Sequence, residues 1–433
     1  MKKVLIITYH WPPSGGISVL RCLKFAKYLR DFGWEPVIYT AKDPAYQYYD
    51  YNNEKDVPDG IEIHKIKISE PINAFKKLSG RKKEAPMQEI TSVSAKKRSK
   101  IDEFAMWVRG NFFIPDARCR WIKPSVKYLK KYLENNHIDA ILTDGPTHTN
   151  TVIGMRVSQH FGIPWLADFQ DPWTQVDYYA KMHIGKRADR KHKALEQEVF
   201  RTASKLTIAS PTWKTDLESI GAKDVSVIYY GYDEDDFQNY RIQKDEHFTF
   251  FHGGLLGSDR NPENFIRALQ RLRKELPQQG ANIRIRLAGE VDLSVANLIE
   301  ECGLNDVTTY LGMIPRAEVY NEFSKASMLL LPINKAANAK GRIPGKLFEM
   351  LRSGKPILVF GPNDGDVKSI VEEKKRGKSF DYDQAYDIYT YLHSSIISGS
   401  VSEFDHNGDV SEFSNKLITN KIAHYLDEIT TTS

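Results

Sequence analysis

Two short stretches carry charged residues at spacings suited to holding an anion. In "GRIPGKLFEMLRSGKPILVFGP" (Gly341 to Pro362), Lys346 and Glu349 lie three apart and share one face of a predicted helix. That helix is expected to open near Gly345, since Pro344 has no N–H to donate and suits the position ahead of a first turn. It is expected to stop at Gly354, with Pro356 just beyond and a buried strand over Ile357 to Phe360. The pair has two readings. One is a plain surface ion pair contributing about 0.2–0.5 kcal/mol. The other is a cation and an anion at the mouth of a site, where the helix dipole is positive. In "HGGLLGSDRNPENF", Gly254 clears space after a strand and Arg260 stands just ahead of a helix expected to start at Pro262 or Glu263. Arg260 and Lys346 would supply cations, and the helix opening at Gly345 would add backbone N–H groups. Together they suit a diphosphate, and Glu349 one turn in suits ribose hydroxyls.

The N-terminal half offers weaker signals. In "HWPPSGG", Gly15 and Gly16 let backbone amides approach an anion at the next helix start, or simply form a tight turn. Asp168 ends the apolar run Pro164 to Ala167, where it would either orient an acceptor hydroxyl as a weak base or bond to loop backbone. Asp171 reads as a helix N-cap with Pro172 in the first turn. His148, in "DGPTHTN", lies beyond a strand and would face an acceptor or solvent. The acidic runs at 233–236 and 364–366 read as loop punctuation, and no metal site is expected. Cys22, Cys119 and Cys302 form neither a disulfide framework nor a metal-ligand spacing, which fits a reducing, cytoplasmic setting.

The elements that would position these residues alternate strand and helix. "VLIITY", "EPVIYTA", "IEIHKIKI", "IDAILTDGP", "GIPWLADFQDPW", "SKLTIAS" and "DVSVIYYGYD" make a first series. "FTFFHGGLLG", "NIRIRLAGE", "VTTYLGMIP", "SMLLLP" and "PILVFGP" make a second. Near-continuous apolar strands between helical segments indicate parallel sheets covered on both faces. The expected class is α/β, with two doubly wound Rossmann-like domains and ligands in the cleft between them. The domains are expected at 1–235 and 246–405, with a basic insertion at about 70–115. A C-terminal helix over 406–433 is expected to pack back on the first domain. At 433 residues, 27% charged and 11% aromatic, the chain is long and mixed enough for two substantial cores. No apolar run approaches the ~20 residues of a membrane-spanning helix, and Val4 to Ile7 reads as a buried first strand rather than a signal peptide.

The net charge of +5 is concentrated in the run from Lys76 to Lys100, followed by Phe104, Trp107, Val108, Phe112 and Phe113 among arginines. This is either a solvated insertion ahead of a core helix or a surface for anionic lipid. Nucleic acid is not an expected partner, because no recognised binding module accompanies the patch.

Taken in order, the motifs resemble those of the retaining, nucleotide-sugar-dependent glycosyltransferases of the GT-B fold, in the large bacterial family four. The opening "VLIITYHWPPSGGISVLRCLKFAKYLRDFGWEPVIYT", the segment "IPWLADFQDPW", the junction "YYGYDEDDF", and the stretches "YLGMIPRAEVYNEFSKASMLLLP" and "PGKLFEMLRSGKPILVFG" carry that resemblance. It covers nearly the whole chain outside about 70–115. It implies that Glu349 holds the donor ribose, that Arg260 and Lys346 contact the diphosphate, and that Met313 and Ile314 read the base through their backbone. It also implies that Gly16 faces the donor phosphate. The family's first paired glutamate would fall at Gly341 and a second cation at Gly254; Arg342 would substitute from the neighbouring loop. The resemblance further implies a sugar transfer to a glycan or lipid-linked glycan in surface-polysaccharide synthesis. No cofactor is expected beyond the donor substrate, and peripheral attachment to the inner membrane face is expected. Two alternatives stay open: a non-hydrolysing sugar-nucleotide epimerase, and a catalytically degenerate nucleotide-sugar-binding subunit.

Overall fold

The computed structural model describes residues 1–46, 48–70, 100–243, 245–401, 404–405 and 408–431. They form two compact units, one running from Met1 to Tyr230 and resuming at Asn415, the other from Gly231 to Ser414. Of the basic run, positions 76–99 lie outside the described residues.

In the first unit the elements run β1 (Lys2–Ile7), α1 (Ile17–Tyr28), β2 (Trp34–Lys42), β3 (Glu62–Lys67), α2 (Lys100–Phe112), α3 (Ile122–Leu133), β4 (Ala140–Gly145), α4 (His148–Phe161), β5 (Trp165–Phe169), α5 (Asp177–Lys181), α6 (Lys186–Thr202), β6 (Lys205–Ile208), α7 (Pro211–Ser219) and β7 (Val225–Val227). The strands form one sheet in the order β3-β2-β1-β4-β5-β6-β7, parallel throughout. β1, β4, β5 and β6 are apolar on both faces because helices cover both, as the continuous apolar runs anticipate.

The second unit holds β8 (Phe248–Gly253), α8 (Glu263–Glu275), α9 (Pro277–Ala281), β9 (Ile283–Ala288), α10 (Leu293–Glu301), β10 (Thr308–Gly312), α11 (Arg316–Lys325), β11 (Met328–Pro332), α12 (Lys346–Arg352), β12 (Ile357–Phe360), α13 (Asp366–Glu373), β13 (Gly377–Phe380) and α14 (Ala385–Ser398). Its sheet order is β10-β9-β8-β11-β12-β13, again parallel. Both sheets reverse their winding once, between β1 and β4 and between β8 and β11. Crevices at such reversals, beyond the carboxyl ends of the strands, are where doubly wound sheets bind ligands.

The last helix, α15 (Asn415–Thr431), belongs to the first unit. Ile418, Ile422, Ala423, Leu426 and Ile429 share an apolar cluster with Val4 and Ile6 of β1 and Cys22, Leu23 and Ala26 of α1.

One buried ion pair ties α1 to the middle of the first sheet. Arg21 Nε donates to Asp168 Oδ2 at 2.5 Å and its Nη2 to Oδ1 at 2.7 Å. Further guanidinium N–H groups donate to the carbonyls of Ile228 and Tyr229, and Thr207 Oγ1 donates to Asp168 Oδ1. Both side chains are almost fully buried. Removing one partner would strand the other charge away from water. Arg21→Met is therefore expected to cost about 3–5 kcal/mol in urea unfolding, with Arg21→Met/Asp168→Leu recovering much of it. A double variant no more stable than the single one would contradict this.

Candidate functional site

In the second unit the crevice between β8 and β11 collects the cationic candidates. The chain leaves β8 through Gly253 and Gly254, turns through Ser258–Arg260 and enters α8 at Glu263. From β11 it passes a tight turn at Ala339–Gly341 and enters α12 at Lys346, with Gly345 as the N-cap. Lys346 reaches back across the crevice, and its Nζ donates to the carbonyl of Gly253 at 2.9 Å. A Cβ on Gly254 would lie 3.4 Å from that Nζ, and Gly254 has φ +118°, so glycine serves both the turn and the ammonium group.

Burial, and then the charge of Arg260, push the Lys346 ammonium down to about 7, with Glu349 opposing the shift. Arg260 itself is braced by its neighbour Asp259, with Nε–Oδ1 at 3.0 Å and Nη2–Oδ2 at 3.1 Å. Beneath them, His252 is buried, with Nδ1 at 3.1 Å from the Leu330 carbonyl and Nε2 without a partner among the described residues. Burial and the charge of Lys346 keep this imidazole neutral, well below its ordinary range. The arrangement holds a guanidinium and a lysine of suppressed charge over a neutral floor, and an anion placed there would stabilise both as cations.

Glu349 does not pair with Lys346. Its carboxylate accepts from Arg316 Nη2 at 2.5 Å. Arg316 also donates to the Tyr320 hydroxyl at 2.6 Å and lies 3.3 Å from Asp236. The plain Lys346–Glu349 ion pair is thus not the arrangement observed. Arg316 went unremarked in the sequence, although a signal exists. It is the first residue of α11, where the helix dipole disfavours a cation. Burial alone would lower its pKa, but Glu349, Tyr320 and Asp236 hold the guanidinium firmly charged.

The adjoining loops are stitched backbone to backbone. Gly254 N donates to Ala288 O at 2.9 Å, and Gly289 N donates to Gly312 O at 2.7 Å. A Cβ on Gly289 would fall 2.4 Å from the Gly254 carbonyl, so only glycine permits this approach. Met313, highly exposed, and Ile314 follow directly from that stitched edge. Arg342 is half-buried just after the turn that holds the buried Gly341.

In the first unit the candidates separate. Asp168 is committed on both oxygens to Arg21 and Thr207, so it is not open to an acceptor. The apolar run ahead of it gives strand but says nothing of the arginine that α1 delivers. Gly15 donates its N–H to Tyr48 O at 2.8 Å, beside the antiparallel bridge of Ser14 with Tyr49, so that amide ties two loops together rather than facing an anion. Gly16, with φ +83°, caps α1 and leaves the space around its missing Cβ open. Asp171 is not an N-cap, since α5 begins only at Asp177 after Val176. His148 is buried at the first turn of α4, stacked on Trp173 with centroids 4.6 Å apart.

A carboxylate that sequence reading passed over sits at this sheet's own reversal. Asp144, at the end of β4, accepts from Thr8 Oγ1 at 3.1 Å and Asn150 Nδ2 at 2.8 Å. These donors are neutral. Burial pushes its pKa up to about 7, with Asp168 adding to the rise.

Residues 233–395 match the family model described as glycosyl transferases group 1. That segment contains Arg260, Lys346, Arg316 and Glu349. In fold, the whole chain is similar to sucrose-phosphate synthase from Thermosynechococcus elongatus, with a TM-score of 0.66, 14% identity and 100% of each chain covered. It is also similar to a mutant form of S. aureus TarM solved with fondaparinux, α-GlcNAc-glycerol and UDP, with a TM-score of 0.58, 10% identity, and 99% and 100% covered. A third likeness is to the lipopolysaccharide outer core galactosyltransferase WaaB in its apo form, with a TM-score of 0.56, 13% identity, and 98% and 99% covered. No curated protein matches in sequence. The chain has the GT-B fold, and the family match supports a glycosyltransferase.

Lys346 provides a direct test of the crevice. A bound diphosphate restores the charge that burial suppresses, so binding takes up a proton wherever the empty site is neutral. Affinity for a nucleoside diphosphate is expected to be level just below pH 7 and to fall above it, by up to about tenfold per pH unit. Lys346→Met should flatten that dependence. Calorimetry in buffers of different ionisation enthalpy reads the proton uptake, and its absence at about pH 8 would remove Lys346 from the anion's contacts.

Proposed function

We propose that the protein is a retaining glycosyltransferase. It moves a sugar from a nucleotide-diphosphate sugar to a glycan or lipid-linked glycan acceptor in surface-polysaccharide synthesis. The observation that carries this reading is Lys346 seated on the Gly253–Gly254 loop at the sheet reversal, with the charge of Arg260 close enough to depress its pKa, inside the family-matching segment. As the glycosidic bond to the diphosphate breaks, negative charge grows on the leaving group and positive charge on the anomeric carbon. Two preorganised cations stabilise that departing anion. Glu349, oriented by Arg316, takes the ribose hydroxyls, while the exposed Gly312–Ile314 backbone takes the base. The acceptor attacks from the face the leaving group vacates, and a phosphate oxygen receives its proton, so no protein nucleophile enters the step. Asp168 has no part in this chemistry.

The decisive experiment is a panel of nucleotide sugars scored for thermal stabilisation, for donor consumption and for transfer. Arg260→Ala and Lys346→Ala should each reduce turnover by roughly tenfold to a thousandfold, more than they weaken donor binding. Free epimerised nucleotide sugar would replace the reading with an epimerase. Tight nucleotide binding without turnover on any donor would make the chain a degenerate subunit, a reading that the buried glycine at position 341 keeps in view.

Peripheral attachment to the cytoplasmic membrane face is part of the proposal. Phe104, Trp107 and Phe112 of α2 are exposed at 64%, 39% and 68% and contact one another ring to ring. Among the described residues no helix is long and apolar enough to cross a membrane. Aromatic side chains favour the headgroup level of a bilayer, where nearby lysines each contribute about 1 kcal/mol on an anionic surface. Co-sedimentation with anionic liposomes is expected at low salt and to weaken at high salt. It should be lost in Phe104→Ser/Trp107→Ser/Phe112→Ser. Equal recovery in the supernatant with and without anionic lipid would refute attachment.

A further inference from the structure

The first unit contains a cavity of about 80 Å³ that the donor chemistry does not use. It lies at the carboxyl edge of the sheet, between the ends of α2 and β4 and the segment following β5. Arg109 and Gly110 of α2, Asp116, Arg118, His148, Trp173 and Tyr178 are among the residues lining it.

Its walls are built rather than incidental. Trp173 Nε1 donates to His192 Nδ1 at 3.1 Å, and His192 Nε2 lies 3.3 Å from the Gly110 carbonyl. The indole held in this way stacks on His148, with ring planes 8° apart. His148 is 5% exposed, yet neither of its ring nitrogens has a hydrogen-bond partner among the described residues. Burial drives its pKa down to about 3, so the ring is neutral and presents one N–H. A buried polar group left unpaired carries a desolvation cost that a ligand would recover.

The other unspent groups are donors too. Arg109 makes no hydrogen bond or ion pair with any described residue. Burial and the nearby charge of Arg118 hold its pKa below the usual arginine value, with Tyr178 and Asp116 opposing. Arg118 covers the Tyr9 ring at 4.3 Å and forms an ion pair with the nearly buried Glu70 at 3.6 Å, too long for its buried Nε to hydrogen-bond. The acidic group in the lining is already engaged. Asp116 accepts from Thr149 N at 2.8 Å, Thr149 Oγ1 at 2.9 Å and Arg118 N at 2.8 Å, which caps α4. Glu70 and Asp116 offset part of this positive charge, but the Arg109 guanidinium and the imidazole N–H keep no hydrogen-bond partner among the described residues. An oxyanion would accept from both and from Arg118.

We propose that this cavity is a binding subsite for a phosphate-type oxyanion carried by the acceptor, held by Arg109, Arg118 and His148. The assignment rests on the transferase reading for the word acceptor, but the anion site stands on its own geometry.

The test separates the two. Inorganic phosphate is titrated by calorimetry into an Arg260→Gln/Lys346→Gln background, which removes the donor-crevice cations. Binding is expected there, and adding Arg109→Gln should weaken it by at least about tenfold, with Arg109→Lys restoring part. On the wild-type protein, phosphate should protect Arg109 from phenylglyoxal, read by peptide mass spectrometry, which needs no variant to fold. Equal binding with and without Arg109→Gln, or no protection of Arg109, overturns the site. A soluble sugar phosphate and a short-chain alkyl phosphate, added separately, distinguish a phosphosugar from a lipid-borne phosphate. Failure of both to compete with inorganic phosphate overturns the acceptor assignment. Binding of UDP to the wild type is followed in parallel. Its absence would count against the transferase reading while leaving the Arg109 result to be judged by itself.

Discussion

A parallel sheet that winds one way and then the other must open a crevice where the winding reverses, because the two crossover connections leave in opposite directions. In the second unit this crevice lies between β8 and β11, and everything proposed for the donor follows from it. The loop after β8 has to pass close to the loop after β9, and Gly289 meets the backbone of Gly254 there with no room for a side chain. The space gained is what Lys346 uses to reach the Gly253 carbonyl. A larger residue at Gly289 would displace the backbone of Gly254, whereas one at Gly254 would be strained by its φ of +118° and would meet the Lys346 ammonium.

Electrostatics sorts the charged candidates according to their partners. Asp168 meets a bidentate guanidinium and is an anchor for α1. Asp144, the adjacent residue on the neighbouring strand, meets neutral donors and is pushed toward protonation. Glu349 keeps an accessible position but is oriented by Arg316. The three carboxylates have similar intrinsic acidity. Their differences come from which cations the surrounding helices deliver. The same sorting applies to cations. Lys346 sits near Arg260 and loses charge through burial, whereas Arg316, with acidic neighbours, retains it.

Two polar regions result, each at the carboxyl edge of its own sheet. The one on the second unit is glycine-lined, brings Arg260 and Lys346 near each other, and suits a diphosphate leaving group. The one on the first unit is narrow, with aromatic walls and N–H donors that have nothing to bind among the described residues. A group-transfer enzyme needs one region that stabilises a leaving group and another that positions the nucleophile's carrier.

Strand and helix alternation, the parallel character of both sheets and the start of α12 at Lys346 were legible in the sequence. Continuous apolar runs report two-sided burial, and Pro344 and Gly354 act locally on the backbone. The glycines after β8 and the cation before α8 were legible for the same reason, since loop chemistry is local. The partners were not. Arg21 lies 147 positions from Asp168, and Arg316 lies 33 from Glu349. No periodicity spans such distances. Arg109, Arg118 and His148 likewise come from three separate segments, so the cavity they line exists only once α2, β4 and the segment after β5 have packed. Local sequence determined which residues stand at strand ends. Tertiary packing decided which of them keep unspent hydrogen bonds, because burial and the arrival of a distant counter-ion set whether a polar group is already satisfied.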